Sequence, residues 1–226
     1  MPETSPSDIL LEAHNIRRRF GSEWVIDDVS LSVQRGQSIA VVSPSGTGKS
    51  TLLSILGLLL DKTEGTLIIA GKNVDTLSAQ ERAAIRRCGQ GFIFQYTHLI
   101  GSLRALDNVL VPSRLLQRAD KTLLDVFTLE TRARSLLDSF GLENRLYHYP
   151  HQLSVGQRRR VAVARALLCD PPLIFADEPT NDLDSESARL VSEALFGRLV
   201  DGAALVIATH DPALIQRADT VVDLTR

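Results

Sequence analysis

Short apolar segments separated by turn residues make up the first quarter of the chain. Residues 10–16 (LLEAHNI) and 24–33 (WVIDDVSLSV) favour β structure, and the turn residues 20–22 (FGS) separate them. Residues 38–42 (SIAVV) form an uninterrupted apolar run of strand length, which is typical of a buried strand. The longer apolar run that ends at Leu60 follows a loop with two glycines and predicts a buried helix.

The next segments predict a hairpin, a helix and a further strand. Residues 66–74 (TLIIAGKNV) predict a β-hairpin that turns at the alanine-glycine pair in its middle. Residues 78–87 begin with serine, carry glutamate three residues later and end in arginines, a pattern that predicts a helix with a capping box. Residues 91–95 (GFIFQ) predict another strand.

The second half of the chain returns to strands only after a long helical stretch. From about residue 99 to 147 the pattern is helical and poor in strands, and a further long helix follows the segment LSVGQ. Three later apolar runs predict parallel strands: residues 172–177 (PLIFAD), 204–210 (ALVIATH) and 220–224 (TVVDL). Strands that alternate with helices predict an α/β fold with a parallel sheet, and the helical stretch predicts an inserted subdomain.

Composition excludes some functional classes and leaves the chain among ordinary globular proteins. The 226 residues are 44% hydrophobic and 23% charged, and the formal net charge of −2 argues against a nucleic-acid binder. The polar start (MPETSPSD) predicts a loose tail without a signal peptide. No apolar run approaches the ~20 residues that cross a bilayer. Cys88 and Cys169 lack metal-ligand spacing, so we expect two reduced thiols in a cytosolic protein.

A loop between the predicted strand 38–42 and the following helix has the composition of a phosphate-binding site. Its residues are Ser43, Pro44, Ser45, Gly46, Thr47, Gly48, Lys49, Ser50 and Thr51. Successive backbone N–H groups and a helix N-terminus would face the anion. Lys49 would place its charge at the β- and γ-phosphates, and the Ser50 hydroxyl suits Mg²⁺. The loop alone predicts a nucleotide-phosphate binder without saying which nucleotide, and a serine-rich turn is the alternative.

Two adjacent carboxylates end the predicted strand 172–177 and suit phosphate chemistry. Strand ends of an open α/β sheet line the ligand crevice. Asp177 would hold the water shell of Mg²⁺, and Glu178 would orient or deprotonate an attacking water. A surface Asp-Glu pair is the alternative. His210 follows a neighbouring strand and would reach the γ-phosphate, although a lone histidine there is more often structural.

The segment Leu153-Ser154-Val155-Gly156-Gln157 stands shortly before the acidic strand and completes an ordered set of motifs. In this order and spacing, nearly the whole chain resembles an ABC-transporter nucleotide-binding domain, whose signature is L-S-G-G-Q. Three further motifs match the family, namely the aromatic residue Phe20, the glutamine Gln95 and the D-loop at residues 181–184, with Asp184 at its end.

The resemblance implies a P-loop NTPase (RecA-like) core with an antiparallel β subdomain and an inserted α-helical subdomain. As one domain, residues 1–95 and 159–226 would form the core and residues 96–158 the helical subdomain. In such proteins Phe20 stacks on adenine, Gln95 contributes to the metal site and His210 acts as a switch. The implied ligands are ATP and Mg²⁺, with Ser50, Gln95 and Asp177 at the metal and Glu178, His210 and Gln95 in catalysis.

The resemblance also explains why the signature stands apart from the phosphate loop. Two ATPase domains pack head to tail, so each ATP lies between one chain's phosphate loop and the other chain's signature, whose helix N-terminus carries Ser154 and Gly156. The arginines at 158–160 would add positive potential there, and a solvated helix face is an equally good interpretation. The second ATPase subunit is another copy or a different chain, and a membrane-spanning permease on another chain completes the machine. We therefore expect a peripheral position on the cytoplasmic face of the inner or plasma membrane.

Two departures from the family pattern and two branch-specific segments refine the expectation. Ser43 and Val155 stand where the family has glycine, which puts the rate of turnover in question but not the identity. Residues 108–112 (NVLVP) and 148–154 (HYPHQLS) resemble the Lol-type and MacB-type branch, which moves lipoproteins, peptides, lipids or drugs. A groove beside the helical insertion is expected to receive a permease helix. Its candidate lining residues are Phe92, Tyr96, Leu99, Ile100 and Leu103, for which plain core packing is the alternative.

Four alternative functions arise at the level of the sequence. A cytosolic iron-sulfur assembly ATPase and an FtsE-like cell-division regulator share these motifs. A DNA-repair ATPase would separate the two nucleotide-binding halves by coiled coils or zinc modules, for which the sequence shows no heptad run or cysteine cluster. A regulator that binds ATP without hydrolysing it would commonly lack the residues found at 178 and 210.

Overall fold

The computed structural model describes residues 8–44, 46–119 and 126–225. The strands form two sheets, and they are β1 Ile9–Phe20, β2 Glu23–Gln34, β3 Ser38–Val42, β4 Glu64–Ile69, β5 Lys72–Asn73, β6 Gln90–Ile93, β7 Leu173–Asp177, β8 Ala204–Ala208 and β9 Thr220–Asp223. The α-helices are α1 Lys49–Leu56, α2 Ala79–Gly89, α3 Ala105–Ala119, α4 Val126–Ser139, α5 Val155–Leu167, α6 Ser185–Val200 and α7 Pro212–Arg217. Short 3₁₀ turns lie at Val74–Thr76, Glu143–Arg145 and Pro150–Gln152.

An antiparallel sheet with the order β2-β1-β4-β5 covers one side of the molecule. The long strands β1 and β2 pair from Ile9↔Gln34 to Phe20↔Glu23, with the predicted turn between them. The hairpin of β4 and β5 turns at Ala70 and Gly71, whose φ angles of 48° and 75° match the type I′ turn that suits the twist of a hairpin. The predicted hairpin is therefore confirmed.

A parallel sheet with the order β6-β7-β8-β3-β9 forms the centre of the fold. Its registers run through Ile93↔Ala176, Asp177↔Ala208 and Val41↔Ala208, so the strands end at one common edge. The side chains of β7 and β8 are almost entirely buried because helices and the antiparallel sheet cover both faces. This edge is where the sequence places the phosphate loop, the acidic pair and His210.

Two hydrophobic clusters fill the two faces of the parallel sheet. One cluster joins α1 and the antiparallel sheet to the sheet residues Ile39, Phe175 and Val206. The other joins α3, α4, α5 and α6 to the sheet residues Ile174 and Leu205. The predicted helical stretch thus packs through apolar side chains onto the second face of the sheet. No helix of the described residues is both long and apolar enough to span a membrane.

Most predicted elements are confirmed, with boundaries that differ by a few residues; the helix predicted to end at Leu60, for example, ends at Leu56. The helix predicted at residues 78–87 is α2, and its Ser78 and Glu81 form the predicted capping box. The strand predicted at 91–95 is β6, but it ends at Ile93 and leaves Gln95 in the following loop. β6 is an edge strand whose ladder with β7 ends at Ile93↔Ala176, because the carbonyl groups of Phe94 and Gln95 bond Arg159 instead of a strand.

Candidate functional site

The loop between β3 and α1 brings glycine backbone close to a neighbouring strand. Gly46 and Gly48 have φ angles of 83° and 100°, in the left-handed region. A Cβ atom at Gly48 would lie 2.8 Å from the carbonyl oxygen of Val25 and 2.7 Å from Cδ1 of Ile26. Glycine is therefore required at position 48 both for its backbone conformation and for this close approach.

Polar contacts within the same loop fold it around the Lys49 ammonium group. Lys49 is 8% exposed. Its Nζ donates to the carbonyl oxygens of Ser43 at 2.7 Å and Pro44 at 3.3 Å. The Thr47 hydroxyl donates to the Pro44 carbonyl at 2.7 Å and also contacts the Ser43 hydroxyl. The side chain at position 43 thus closes the base of the loop, and Ser45 lies outside the described residues.

The N-terminus of α1 offers backbone donors to an anion. Its N-cap is Gly48, and no described side chain caps the helix. The first N–H groups of a helix have no partner within the helix, and the helix dipole adds partial positive charge there. Lys49, Ser50 and Thr51 begin this helix, so a bound phosphate would meet both the free N–H groups and the Lys49 charge.

The acidic pair lies directly opposite the loop. Asp177 is the last residue of β7, and burial raises the pKa of its carboxyl above the usual range, opposed by a hydrogen bond from the Ser50 hydroxyl. Glu178 has a φ of 46° and its N–H donates to the Ala208 carbonyl at 2.8 Å. This left-handed turn directs the Glu178 side chain toward the phosphate loop. Without it, two adjacent residues of a strand would point to opposite faces of the sheet, and only one carboxylate would reach the site.

His210 lies beside Glu178 at the end of β8. The distance between His210 Nδ1 and Glu178 Oε2 is 3.0 Å, and the histidine side chain is largely exposed. A hydrogen bond from the Thr180 hydroxyl to the Asp211 carboxylate (2.8 Å) joins the loops that follow β7 and β8, and the Asp211 N–H donates to the Thr209 hydroxyl (3.0 Å) within the second loop. The position of His210 relative to Glu178 is therefore fixed by neighbouring contacts.

A cavity of about 230 Å³ lies between the loop and the acidic pair. The residues along its wall are Val25, Gly46, Gly48, Lys49, Ser50, Thr51, Gln95, Asp177 and Glu178. A hydroxyl, a carboxylate and an amide carbonyl, from Ser50, Asp177 and Gln95, form a set of hard oxygen donors, which is the chemistry that Mg²⁺ prefers. These side chains fit a magnesium ion together with a phosphate.

Arg159 is a residue at this site that the sequence analysis missed. It is 4% exposed and donates to the carbonyl oxygens of Phe94 and Gln95, each at 2.6 Å. The sequence analysis treated the arginines at 158–160 as one group on a helix face. A signal was present, because Arg159 shares a helical face with Ala162, Val163 and Ala166 at spacings of three, four and seven residues.

The signature segment lies at the N-terminus of α5 and does not line the cavity. Ser154 is the N-cap, and its hydroxyl accepts from the Gln157 N–H at 3.2 Å while the Gln157 side chain accepts from the Ser154 N–H at 3.0 Å. Val155 is exposed, and Gly156 lies against the start of α6. The predicted separation between the signature and the phosphate loop of the same chain is therefore present.

Asp184 and Phe20 also lie outside the wall of the cavity. Asp184 caps α6, and hydrogen bonds from the Ser187 backbone and hydroxyl hold its pKa below the usual range. A Cβ atom at Gly156 would lie 3.9 Å from an Asp184 carboxylate oxygen, so Asp184 adjoins the signature. Phe20 ends β1 with an exposed ring, and the Arg18 guanidinium lies 4.5 Å from the ring centroid.

A second and larger cavity, of about 750 Å³, opens between α2, α3 and α5 and is called the groove below. Its walls include Leu59, Arg86, Arg87, Cys88, Phe92, Phe94, His98, Val111, Pro112, Leu115, Arg165 and Cys169. Of the five residues predicted to line it, only Phe92 is among its described lining residues. The Tyr96 side chain is exposed and Leu99 packs against the helices, and the permease contact predicted for the five residues stays a prediction.

Comparisons with known proteins give one consistent result. The sequence profile of a family described as "ABC transporter" matches residues 26–181. The lipoprotein-releasing system ATP-binding protein LolD of Bordetella avium is 45% identical over 197 residues, which cover 86% of this chain and 83% of that protein. The macrolide export ATP-binding/permease protein MacB of Bartonella henselae is 40% identical over 223 residues, 97% of this chain but 33% of that protein.

A solved structure matches both the fold and the arrangement of elements. It is a dimeric post-hydrolysis state of an ATP-binding cassette bound to ADP and Pi. It superposes with a TM-score of 0.86 at 34% sequence identity, covering 95% of this chain and 94% of that one. The predicted α/β fold of the P-loop class is confirmed by this likeness.

Proposed function

This chain belongs to the ABC transporter family as an ATP-binding subunit of the Lol and MacB branch, and we propose that it hydrolyses Mg-ATP at a composite site between two ATPase subunits. The observation that carries the proposal is the cavity in which Lys49, Asp177 and Glu178 face one another. Phosphate-binding backbone, a hard-cation donor set and a candidate general base converge there.

In this proposal each side chain has a defined part in phosphoryl transfer. The Glu178 carboxylate accepts a proton from a water as that water's oxygen bonds to the γ-phosphorus. The bond from the γ-phosphorus to the bridging oxygen breaks, and ADP leaves with the electron pair. Lys49 compensates the phosphate charge, and His210 holds the γ-phosphate beside Glu178. Ser50, Gln95 and Asp177 would hold Mg²⁺, which supplies charge neutralisation between the phosphates.

The second half of the composite site would come from the signature of a partner subunit. The α5 N-terminus with Ser154 and Gly156 is exposed and lies outside the cavity of its own chain, so it is available to a phosphate bound elsewhere. The dimeric cassette with ADP and Pi supports a pair of ATPase subunits. The phosphate loop, Phe20 and Asp184 would complete the nucleotide contacts, with Phe20 stacking on adenine through its exposed ring.

The division of the chain is part of the same proposal. Residues 1–95 and 159–226 would form the nucleotide-binding core, and residues 96–158 the helical subdomain. The boundary falls inside α5, so the two parts share one continuous helix.

Steady-state ATP hydrolysis with excess Mg²⁺ tests the catalytic assignment. We expect Glu178→Gln to lower kcat at least about 100-fold, because a general base contributes about 10²–10⁴ in rate. The same variant should accumulate as a dimer in Mg-ATP on size-exclusion chromatography. Glu193→Gln, which changes an exposed carboxylate paired with Arg189 on α6, is the matched control and should keep its rate. A Glu178→Gln rate equal to that of the native chain would reject the proposal.

The groove is the proposed docking surface for a permease helix on the cytoplasmic face of the membrane. Its wall combines the apolar side chains of Phe92, Phe94, Val111 and Leu115 with three arginines, so it suits an apolar helix that carries a carboxylate. Through this helix the chain would drive transport of a lipoprotein, peptide, lipid or drug.

Co-purification from membranes tests the docking surface. Leu115→Glu should lose a co-purifying membrane protein, whereas Phe127→Glu should keep it. Leu115 lines the groove, and Phe127 on α4 is even more exposed but is not among the described lining residues. Mass spectrometry of the retained protein identifies the permease. Recovery of a soluble scaffold in its place would favour an iron-sulfur assembly role.

A further inference from the structure

The loop that carries Gln95 is fixed by side chains of α5. Beyond the end of β6, the Phe94 and Gln95 carbonyl oxygens accept from Arg159 at 2.6 Å each. Further along, the Thr97 and His98 carbonyl oxygens accept from Arg165 at 2.7 and 2.8 Å. Two guanidinium groups on one helix therefore hold four of five consecutive carbonyl groups in a segment that no sheet ladder supports.

Stability alone does not explain a guanidinium at position 159. Burial lowers the pKa of Arg159 from its usual value, so the charge is costly to place there. Its Nε is buried without a hydrogen-bond partner among the described residues. An apolar side chain of similar volume at such a position is commonly neutral or stabilising. The nearby carboxylates that favour the charged form are Asp182, Asp177 and Glu178, which places the guanidinium in the field of the catalytic edge.

We propose that Arg159 is a positioning residue that sets the place of the Gln95 amide at the cavity by holding the backbone carbonyls of Phe94 and Gln95. The inference rests on the proposed ATPase function of the site. Arg159 is not among the described residues that line the cavity, and it acts through the backbone of Gln95, whose side chain does line it. Its bidentate contact fixes the orientation of the loop as well as its distance from α5.

Helix α5 also connects the Arg159 contact to the signature segment. Arg159 lies three residues after Gly156 on α5, so the signature and the Gln95 loop are joined through one turn of helix. A shift of the α5 N-terminus against a partner subunit would move the Gln95 backbone with it.

The decisive experiment combines Arg159 and Gln95 variants in a double-mutant cycle of ATPase rates. We expect Arg159→Met to lower kcat and raise the Mg²⁺ concentration for half-maximal rate, each about 10- to 100-fold, as for other outer partners of metal ligands. ATP affinity measured without Mg²⁺ and the thermal midpoint should stay close to native values. In the Gln95→Ala background, Arg159→Met should add no further loss, because its effect passes through Gln95.

Control variants distinguish a positioning role of Arg159 from loss of folding, and a failure of this inference from a failure of the proposed ATPase function. Arg134→Met removes an exposed arginine paired with Glu130 on α4. It should leave kcat, the Mg²⁺ requirement, ATP affinity and the thermal midpoint unchanged. Arg159→Lys keeps the charge but not the two-pronged contact, so it should still raise the Mg²⁺ requirement, and it serves where the methionine variant fails to fold. Losses that multiply in the double mutant, or an unchanged Mg²⁺ requirement in the Arg159 variants, would overturn the inference. A rate unaffected by Glu178→Gln would instead reject the proposed function.

Discussion

The N-termini of α1 and α5 are both proposed to bind phosphate, and they differ in how they are capped. The α1 N-terminus has Gly48 as its N-cap, no capping side chain among the described residues, and Lys49 as its first residue. The α5 N-terminus has Ser154 as its N-cap and a complete capping box with Gln157. The first end has no side-chain cap for its N–H groups, whereas at the second the capping box binds the N–H groups of Ser154 and Gln157.

The difference indicates how the N-termini of α1 and α5 would each contribute to binding phosphate. An open helix end surrounded by loop backbone is completed by an anion, so α1 suits tight binding by a single chain. A helix end that is already capped and exposed gains less from an anion by itself. It would engage a phosphate only when a partner subunit presents one, and the Ser154 hydroxyl would then exchange one partner for another.

The largest expected effect comes from breaking each end separately. Lys49→Met should lower ATP affinity about 100-fold, because it removes a buried charge paired with phosphate. Gly156→Asp should abolish hydrolysis while leaving the ATP affinity of the isolated chain unchanged, because it places a negative charge where only the partner's phosphate arrives. Isothermal titration with ATP and steady-state ATPase rates measure the two effects.

Mixing the two inactive variants tests the composite site directly. A mixed dimer carries one site with both lesions and one site with neither, so mixing should restore hydrolysis. If each chain used its own signature, no intact site would form and the mixture would stay inactive.

The second effect concerns two aspartates, one near each helix end. Burial raises the pKa of Asp177, whereas hydrogen bonds from Ser187 lower the pKa of Asp184. As pH falls, Asp177 therefore takes up its proton in the folded chain at a higher pH than in the unfolded chain. Between its folded and unfolded pKa values the folded state gains stability, because the cost of the buried charge is removed. Asp184 behaves oppositely, and its contribution, present above its unfolded pKa, is lost as pH falls through its lower folded pKa.

Carbon-13 NMR of the side-chain carboxyls would follow both titrations, with Asp177 midway at a higher pH than Asp184. Asp177→Asn should make the free energy of unfolding less dependent on pH between the folded and unfolded pKa values of Asp177, as thermal unfolding over a pH series would show. The reverse order of the two midpoints would contradict the assignment.

A smaller effect tests the cap at α5. Ser154→Ala should lower stability by about 1 kcal/mol, the usual cost of losing an N-cap. Ser78→Ala is the matched control, because Ser78 caps α2 with the same kind of box. Thermal unfolding should show similar losses in both variants, but only Ser154→Ala should also lower the ATPase rate. An equal rate in the two would show that the Ser154 hydroxyl acts only as a cap.

The smallest effects are expected where the chain departs from the family glycines. Ser43→Gly removes the hydroxyl contact with Thr47, and Val155→Gly removes an exposed side chain at the first position of α5. We expect each to change kcat by no more than about threefold, as is usual for substitutions that create no cavity or buried charge. A tenfold gain in either variant would show that the native residue limits turnover.

Sequence patterns located the features that depend on local chemistry. The capping box at Ser78, the turn at Ala70 and the strand before Asp177 follow from rules that act within a few residues. Their positions could be predicted without knowing what packs against them. The order of the motifs and their resemblance to one family then supplied the fold class.

Features that depend on residues far away in the chain could not be predicted from the sequence. β6 ends at Ile93 although β7 continues to Asp177, and the next two carbonyl groups accept hydrogen bonds from Arg159, more than sixty residues away. Arg159 looked like part of a solvated triplet, and its burial depends on the loop that packs onto α5. The exposed position of Tyr96 could not be predicted for the same reason, since it depends on a loop held by remote arginines.

The position of β3 in the sheet has a consequence for the order in which a newly made chain becomes competent. β3 leads into the phosphate loop, yet its two neighbours are β8 and β9, and the Ser38 hydroxyl bonds Asp219 from 181 residues further along. During synthesis the loop therefore emerges long before the strands that frame it, at rates of about 5–20 residues per second. Until those last strands arrive, the exposed edges of β3 are open to wrong pairing, which a ribosome-bound chain stopped before residue 204 would reveal as protease sensitivity around the loop.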